Sequence, residues 1–107
     1  MSTVFGVLGQ AAPNAAVLTT IYTGPSNKHC TCRMLVCNRS SIDLFRIAIS
    51  PSGAAIESKH YIAYDMYIAA NDSLSSSAFT VKVGDVVRVY STNGNLSFTL
   101  TGIEEDG

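Results

Sequence analysis

Apolar and polar side chains alternate with a period of two residues along much of the chain, and this pattern constrains the fold more than any other feature. Leu96, Phe98 and Leu100 alternate with serine and threonine, and similar runs occupy residues 44–49 and 79–90. A period of two is typical of a β-strand with one buried face, whereas an amphipathic helix repeats every 3.6 residues. The pattern therefore predicts strands, and no window indicates more than a single turn of helix.

Turn-forming residues separate these runs at short intervals. Further strands are predicted at residues 16–22, 30–37 and 60–68, the last of them bent near Asp65. Between the last two strands, Asn93-Gly94 can supply the two positive φ angles of a type I′ turn, which predicts a β-hairpin there. About seven to eight antiparallel strands predict an all-β fold, either a single β-sandwich or a jelly-roll-like barrel.

The chain length sets the domain organisation. A chain of 107 residues has the size of one domain, so we expect a single β-sandwich domain over residues 1–107. Residues 1–15 contain no charged side chain and are rich in alanine and glycine, and we expect them to form an extended N-terminal arm that orders against a partner. Deleting residues 1–14 should then abolish incorporation into a larger assembly and leave the domain folded.

The scarcity of charge indicates association. Charged residues make up 14% of the chain, against about 25% in an average soluble domain. Seven basic and eight acidic residues give a net charge of −1, so nucleic acid and membrane surfaces are not expected partners. No apolar stretch approaches the roughly 20 residues of a membrane-spanning helix. Because a weakly charged surface promotes association, we expect much of it to be covered by copies of the chain or by other proteins, although a neutral monomer is the alternative.

Three cysteines lie close together in the sequence. Cys30 and Cys32 share one face of a predicted strand, with Cα atoms about 6.6 Å apart and parallel side chains that suit a disulfide poorly. Cys37 lies on the opposite face by the same count. An odd number of cysteines leaves at least one thiol unpaired, so an intermolecular disulfide through Cys30, Cys32 or Cys37 stays open beside free thiols.

Metal binding and catalysis are not expected. The candidate metal ligands are His29, Cys30, Cys32, Cys37 and His60. Structural zinc usually takes two tight pairs of ligands, and here a single C-x-C lies in a strand with no second pair, so neither a metal nor another cofactor is predicted. Cys37, His60 and Asp65 are the residue types of a nucleophilic triad, but the motifs of known catalytic sites are missing from the sequence.

Three tyrosines crowd one segment of the chain. Tyr61, Tyr64 and Tyr67 are candidates for an interface or for a sugar-binding platform. Tyr61 and Tyr64 have opposite parity along a strand, so we expect them not to form one flat face. Sugar recognition usually recruits tryptophan and the chain has none, so packing in the core or at an interface is favoured.

Arg46, Asp65 and Arg88 are candidates for a structural clamp. An arginine can tie neighbouring segments together through paired hydrogen bonds to a carboxylate. Either an Arg46–Asp65 or an Arg88–Asp65 pair would serve this purpose, and separate solvated charges are the alternative.

Motifs along nearly the whole chain resemble those of a family of small tailed-bacteriophage proteins. They are Leu8-Gly9-Gln10-Ala11-Ala12-Pro13, Val36-Cys37-Asn38-Arg39, Phe45-Arg46-Ile47-Ala48-Ile49, His60-Tyr61-Ile62, Tyr64-Asp65, Ala70-Asn71-Asp72, Gly84-Asp85-Val86-Val87-Arg88-Val89-Tyr90 and Leu96-Ser97-Phe98. The resemblance implies a virion structural component without catalytic residues or cofactor. Cys30 and Cys32 depart from it, since small or aliphatic residues are ordinary at those positions.

The resemblance and the composition together give one functional expectation. We expect a virion protein, most of all a capsid decoration (cement) protein that attaches as a trimer or ring to the major capsid protein. A neck, baseplate or tail-fibre component, attached to tail proteins, is the nearest alternative. A host-surface carbohydrate-binding module is an alternative of another class.

Overall fold

Nine β-strands run through residues 3–106, the part of the chain that the computed structural model describes. They are β1 (Thr3–Ala11), β2 (Thr19–Thr23), β3 (Lys28–Asn38), β4 (Asp43–Ser50), β5 (Tyr61–Ile68), β6 (Ser73–Ser75), β7 (Phe79–Lys82), β8 (Val86–Ser91) and β9 (Leu96–Asp106). Two short 3-10 turns, Pro51–Gly53 and Ser58–His60, lie between β4 and β5. Within residues 3–106, no helix is long and apolar enough to span a bilayer.

The strands form two antiparallel sheets that pack face to face, so the predicted β-sandwich is confirmed. The five-stranded sheet has the order β1-β9-β3, and the short strands β6 and β7 both pair with the other side of β3. The four-stranded sheet has the order β2-β8-β4-β5. The long strands β3 and β9 are therefore central, while β1, β2, β5 and the pair β6–β7 form the edges.

The core follows the alternation of the sequence. Leu96, Phe98 and Leu100 are fully buried, as their period of two predicts. They meet Met34 of β3 and the inner residues of the four-stranded sheet, where the rings of Phe45 and Phe98 contact edge to face at 6.3 Å. Each buried large side chain of this kind stabilises the fold by about 1.5–3 kcal/mol, so the contact between the two inner faces is the main source of stability.

The predicted hairpin at Asn93-Gly94 is wrong. β8 belongs to the four-stranded sheet and β9 to the five-stranded sheet, so the chain crosses from one sheet to the other at this point. Gly94 has a positive φ of 75°, but Asn93 does not, and a type I′ turn needs both. Asp43 is buried, and its carboxylate accepts hydrogen bonds from the backbone N–H groups of Asn93 and Asn95. These bonds fix the conformation of the segment that crosses between the sheets.

Most of the expected N-terminal arm is a paired strand. β1 pairs with β9 from Thr3 to Ala11, with an irregularity between Val7 and Gly9. Leu8 and Ala11 pack against the core, whereas residues 3–7 are exposed. Met1, Ser2 and Gly107 lie outside the described residues. Removal of residues 1–14 would also remove an edge strand from the sheet and so destabilise the domain. Substitution of the exposed side chains of β1 is therefore a better test of whether this segment contacts a partner.

Candidate functional site

Arg46 is the centre of a polar and aromatic cluster on the outer face of the four-stranded sheet. Its guanidinium carbon lies 4.3 Å from the ring centroid of Tyr64 and 4.3 Å from that of Tyr90. Its Nε donates a hydrogen bond of 2.7 Å to Oδ1 of Asp65, and its Nη2 lies 3.4 Å from Oδ2. The hydrogen bond to Asp65 raises the pKa of the guanidinium above its usual value. Arg46 therefore contacts two side chains of β5 and one of β8, the strands on either side of β4.

Local irregularity of β5 brings its tyrosines onto this outer face. The pairing of β4 with β5 shifts register on both sides of Ile47, and Asp65 has a left-handed φ of 50°. Tyr61 pairs with Ala48 and Tyr67 with Leu44, and directly paired residues point to the same side of a sheet. Each bulge inserts an extra residue and resets the alternation, so Tyr64 contacts Tyr61 despite their opposite parity. Their rings are inclined by 83°, so the two tyrosines do not form one flat face.

Two of these tyrosines are in contact, and two are exposed. The rings of Tyr61 and Tyr64 contact edge to face with centroids 4.9 Å apart. Tyr64 is 54% exposed and Tyr67 is 59% exposed. We call this surface the Tyr–Arg face; its members are Arg46, Tyr61, Tyr64, Tyr67 and Tyr90.

Replacing Arg46 by alanine should lower the free energy of unfolding by about 1–2 kcal/mol. The change removes a partly exposed ion pair and two cation–π contacts, each worth up to about 1 kcal/mol. Arg46→Lys is the matched control, since it keeps the charge but loses the planar fork. Urea denaturation should place the lysine variant between wild type and alanine; a lysine variant as stable as wild type would contradict a role for the fork.

Arg88 does not join Asp65. Its Nη1 donates a hydrogen bond of 2.6 Å to Oγ of Ser50, a neighbour on β4. Of the two clamps that the sequence left open, the structure brings together only Arg46 and Asp65. Tyr90 was not among the residues predicted from the sequence for this cluster. It lies opposite Arg46 on β8, and the pairing of β4 with β8 leaves no local signal in the sequence.

The cysteines divide between the two faces of β3. Cys30 and Cys32 are buried in the core, and Cys37 is exposed on the outer face. Burial raises the pKa of both buried thiols above the ordinary value, and it does so more strongly for Cys32. An intermolecular disulfide stays a prediction, and the geometry assigns it to Cys37, because Cys30 and Cys32 reach another chain only if the core opens.

A hydrogen-bonded tyrosine–glutamate pair lies at the rim of the core beside Cys30. Tyr22 of β2 donates its hydroxyl hydrogen to the Oε2 atom of Glu104 on β9 and so joins the two sheets. Burial, and then this hydrogen bond, raises the pKa of the Tyr22 phenol above its usual range. The pair satisfies two polar groups at the rim of the core.

The residues of the suspected triad lie apart. Cys37 is on the outer face of the five-stranded sheet, and Asp65 is on the outer face of the four-stranded sheet, bound to Arg46. Nδ1 of His60 accepts a hydrogen bond of 3.0 Å from the backbone N–H of Glu57 and closes a turn. Within residues 3–106, no group of three or more His, Cys, Asp or Glu side chains is arranged to hold a metal ion.

Comparison with known proteins gives limited likeness. No protein-family model and no curated protein sequence matches the chain. Among solved structures, a pentameric capsid protein isolated from metagenomic phage sequences is 16% identical with a TM-score of 0.42, and the alignment covers 94% of this chain and 60% of that one. A second structure of the same description is 13% identical with a TM-score of 0.37, covering 94% and 65%. The chain thus spans less than two thirds of the length of either.

Proposed function

We propose that this chain is a structural protein of a bacteriophage virion and, within that class, a capsid decoration protein. Its motifs resemble small tailed-bacteriophage proteins over nearly the whole sequence, and only 14% of its residues are charged. The observation that carries the proposal is the Tyr–Arg face, an accessible and ordered surface suited to contact with another protein.

Composition and geometry both make the Tyr–Arg face suitable as an interface. Tyrosine and arginine are enriched among residues that dominate binding energy, because each offers a large contact area with a polar tip. Arg46 is held by Asp65 and by two rings, so little side-chain freedom is lost when a partner covers it. The side chains of the face are therefore already in the conformation that binding requires before a partner arrives.

The same arrangement favours a protein partner over a sugar. Stacking of a sugar needs an open aromatic ring face, and the guanidinium of Arg46 lies over the rings of both Tyr64 and Tyr90. Tyr61 contacts Tyr64 as well. Tyr67 is left as the most exposed ring of the face, and one ring makes a small platform.

Decoration of a capsid fits a small domain with an exposed adhesive face. Many copies on a symmetric shell convert weak individual contacts into durable attachment through avidity. The partner in this proposal is the major capsid protein, and the chain resides in the virion. A neck, baseplate or tail-fibre position would use the same face against tail proteins in far fewer copies.

Quantitative mass spectrometry of purified particles tests the proposal. We expect copy numbers on the scale of the capsid subunits. Copies on the scale of a tail ring would contradict decoration but keep the virion role, and absence of the chain from particles would contradict both.

A variant of the Tyr–Arg face tests the attachment surface. Tyr64→Ser combined with Tyr67→Ser should reduce the copies per particle about tenfold or more, since it removes two aromatic contacts from the proposed interface. Val83→Ser is the matched control, because Val83 is 50% exposed and follows β7, away from the face. Equal incorporation of the double variant and the control would show that attachment uses another surface.

A further inference from the structure

An apolar groove opens along one edge of the sandwich. It lies between β5 and the segment from β6 to β7, where the two sheets stay apart around a cavity of about 530 Å³. Its rim exposes three large apolar side chains: Ile62 at 50%, Met66 at 49% and Leu74 at 38%. None of its lining residues is charged. We call it the edge groove.

The groove follows from how the β6–β7 connection is anchored. Ser76 accepts a hydrogen bond on its Oγ from the backbone N–H of Met34, and its own N–H donates to the Met34 carbonyl oxygen. These bonds tie the connection to β3 and away from β5. The interior between the sheets thus stays accessible on this side.

The opposite edge of the sandwich presents an apolar strand. β1 is the edge of the five-stranded sheet, and its nine residues carry no charge. Val4 is 47% exposed, Phe5 is 73% exposed and Val7 is 60% exposed. Phe5, opposite Ile103 on β9, is the most exposed large apolar side chain of the described chain. An edge strand of this kind is a template for contact with another chain.

Charge favours a second copy as the occupant of the groove. A charged side chain would lose its hydration in the uncharged groove without gaining an ionic partner, at a cost of several kcal/mol. The occupant must therefore carry no charge where it enters the groove, and β1 meets this condition. Both surfaces belong to the same chain, and each leaves apolar area in water that the other would cover.

The area that β1 can bury is also large enough for a stable contact. A stable interface buries about 800 Å² on each partner, which is about a seventh of the 5597 Å² of accessible surface of the chain. β1 is about 30 Å long, and one phenylalanine alone buries roughly 150–250 Å². A strand of this length with three exposed apolar side chains provides an area of the required order.

We propose that β1 of one copy docks on the edge groove of the next copy, with Phe5 seated in the cavity. The two surfaces differ and lie on opposite edges, so the contact is heterologous: repetition closes a ring or extends a filament, and it does not give a two-fold dimer. The inference goes beyond the proposed function, because it adds a second copy of the chain as a partner and names the surfaces through which copies assemble.

Measuring the mass of the purified protein by light scattering and native mass spectrometry tests the docking. We expect wild type to be larger than a dimer at high concentration. Phe5→Asp should damage only the strand, and Met66→Asp only the groove, so each variant alone should be monomeric, with association weakened about thirtyfold or more. Ile62→Asp is a second groove variant in case Met66→Asp fails to fold, and Val17→Asp, at a 48% exposed loop position, is the control.

Mixing the two defective variants gives the sharpest result. The Phe5→Asp chain keeps an intact groove and the Met66→Asp chain keeps an intact β1, so one contact can form between them and no second contact can follow. The mixture should give a one-to-one heterodimer. A monomeric wild type, an unchanged Phe5→Asp oligomer or a mixture without heterodimer would each overturn the inference. An oligomer that forms normally but is absent from particles would refute the proposed function instead.

Discussion

Replacing Asp43 by alanine should lower the free energy of unfolding by about 3–5 kcal/mol, a large share of the stability of a domain this size. Asp43 is fully buried, and its carboxylate accepts four hydrogen bonds. The donors are Leu44 N at 2.7 Å, Asn93 N at 2.9 Å, Ser91 Oγ at 2.7 Å and Asn95 N at 3.1 Å. Alanine leaves these donors without a partner at the point where the chain crosses between the sheets. Urea denaturation of both proteins measures the difference.

The acid dependence of stability separates the charge of Asp43 from its shape. Burial raises the pKa of Asp43, but the hydrogen bonds from Ser91, Asn93, Asn95 and Leu44 outweigh burial and leave the pKa below its ordinary value of 3.8. The contribution of this carboxylate is therefore complete above about pH 4 and is lost as the pH falls through the lowered folded-state pKa. Asp43→Asn keeps the volume but cannot titrate. Wild type should lose more stability than Asp43→Asn on acidification; equal losses would contradict the assignment.

Gly102→Val should destabilise the fold by about 3 kcal/mol or more, although valine is otherwise favoured in strands. Gly102 lies on β9 between Gly6 of β1 and Cys32 of β3. A Cβ atom there would lie 2.2 Å from the Thr31 carbonyl oxygen and 2.6 Å from the Cys32 Cα atom. Both are backbone atoms of the central strand β3, so relief requires β3 and β9 to separate.

A neighbouring position on β9 provides the control for Gly102→Val. Thr101→Val introduces the same side chain on the outer face of the same strand, where it costs one hydrogen bond to the Gly6 carbonyl oxygen. We expect a loss of about 1 kcal/mol there. Thermal and urea denaturation of the two variants give the comparison, and similar losses would show that close approach is not the reason for glycine at position 102.

The sequence predicted the strands whose side chains alternate between core and solvent. Residues 30–37 became most of β3, and Leu96, Phe98 and Leu100 occupy the core as expected. The same reasoning missed β6, whose three residues are all exposed, and β1, whose first five are exposed. These strands exist through pairing with distant segments, and such pairing leaves no periodic signal in the residues themselves.

The candidate site was predictable in its residue types and less so in its geometry. Arg46, Asp65 and the tyrosines could be selected from sequence because their side chains favour fixed polar contacts and interfaces. Their arrangement depended on two bulges in the pairing of β4 with β5, which follow from tertiary contacts. In the same way, Asp43 overrode the local turn preference of Asn93-Gly94, because a buried carboxylate must find donors wherever the chain can supply them.

The position of β9 has a consequence for how the chain acquires its structure during translation. β9 is synthesised after the other eight strands of residues 3–106, yet it lies between β1 and β3 in the five-stranded sheet. Until β9 has emerged from the ribosome, β1 has no partner in the sheet and β3 is paired on only one side, with β6 and β7. The sandwich should therefore be completed only once β9 has emerged, through slow pairing of sequence-distant segments, and the incomplete sheet should depend on chaperones or rapid completion to avoid aggregation.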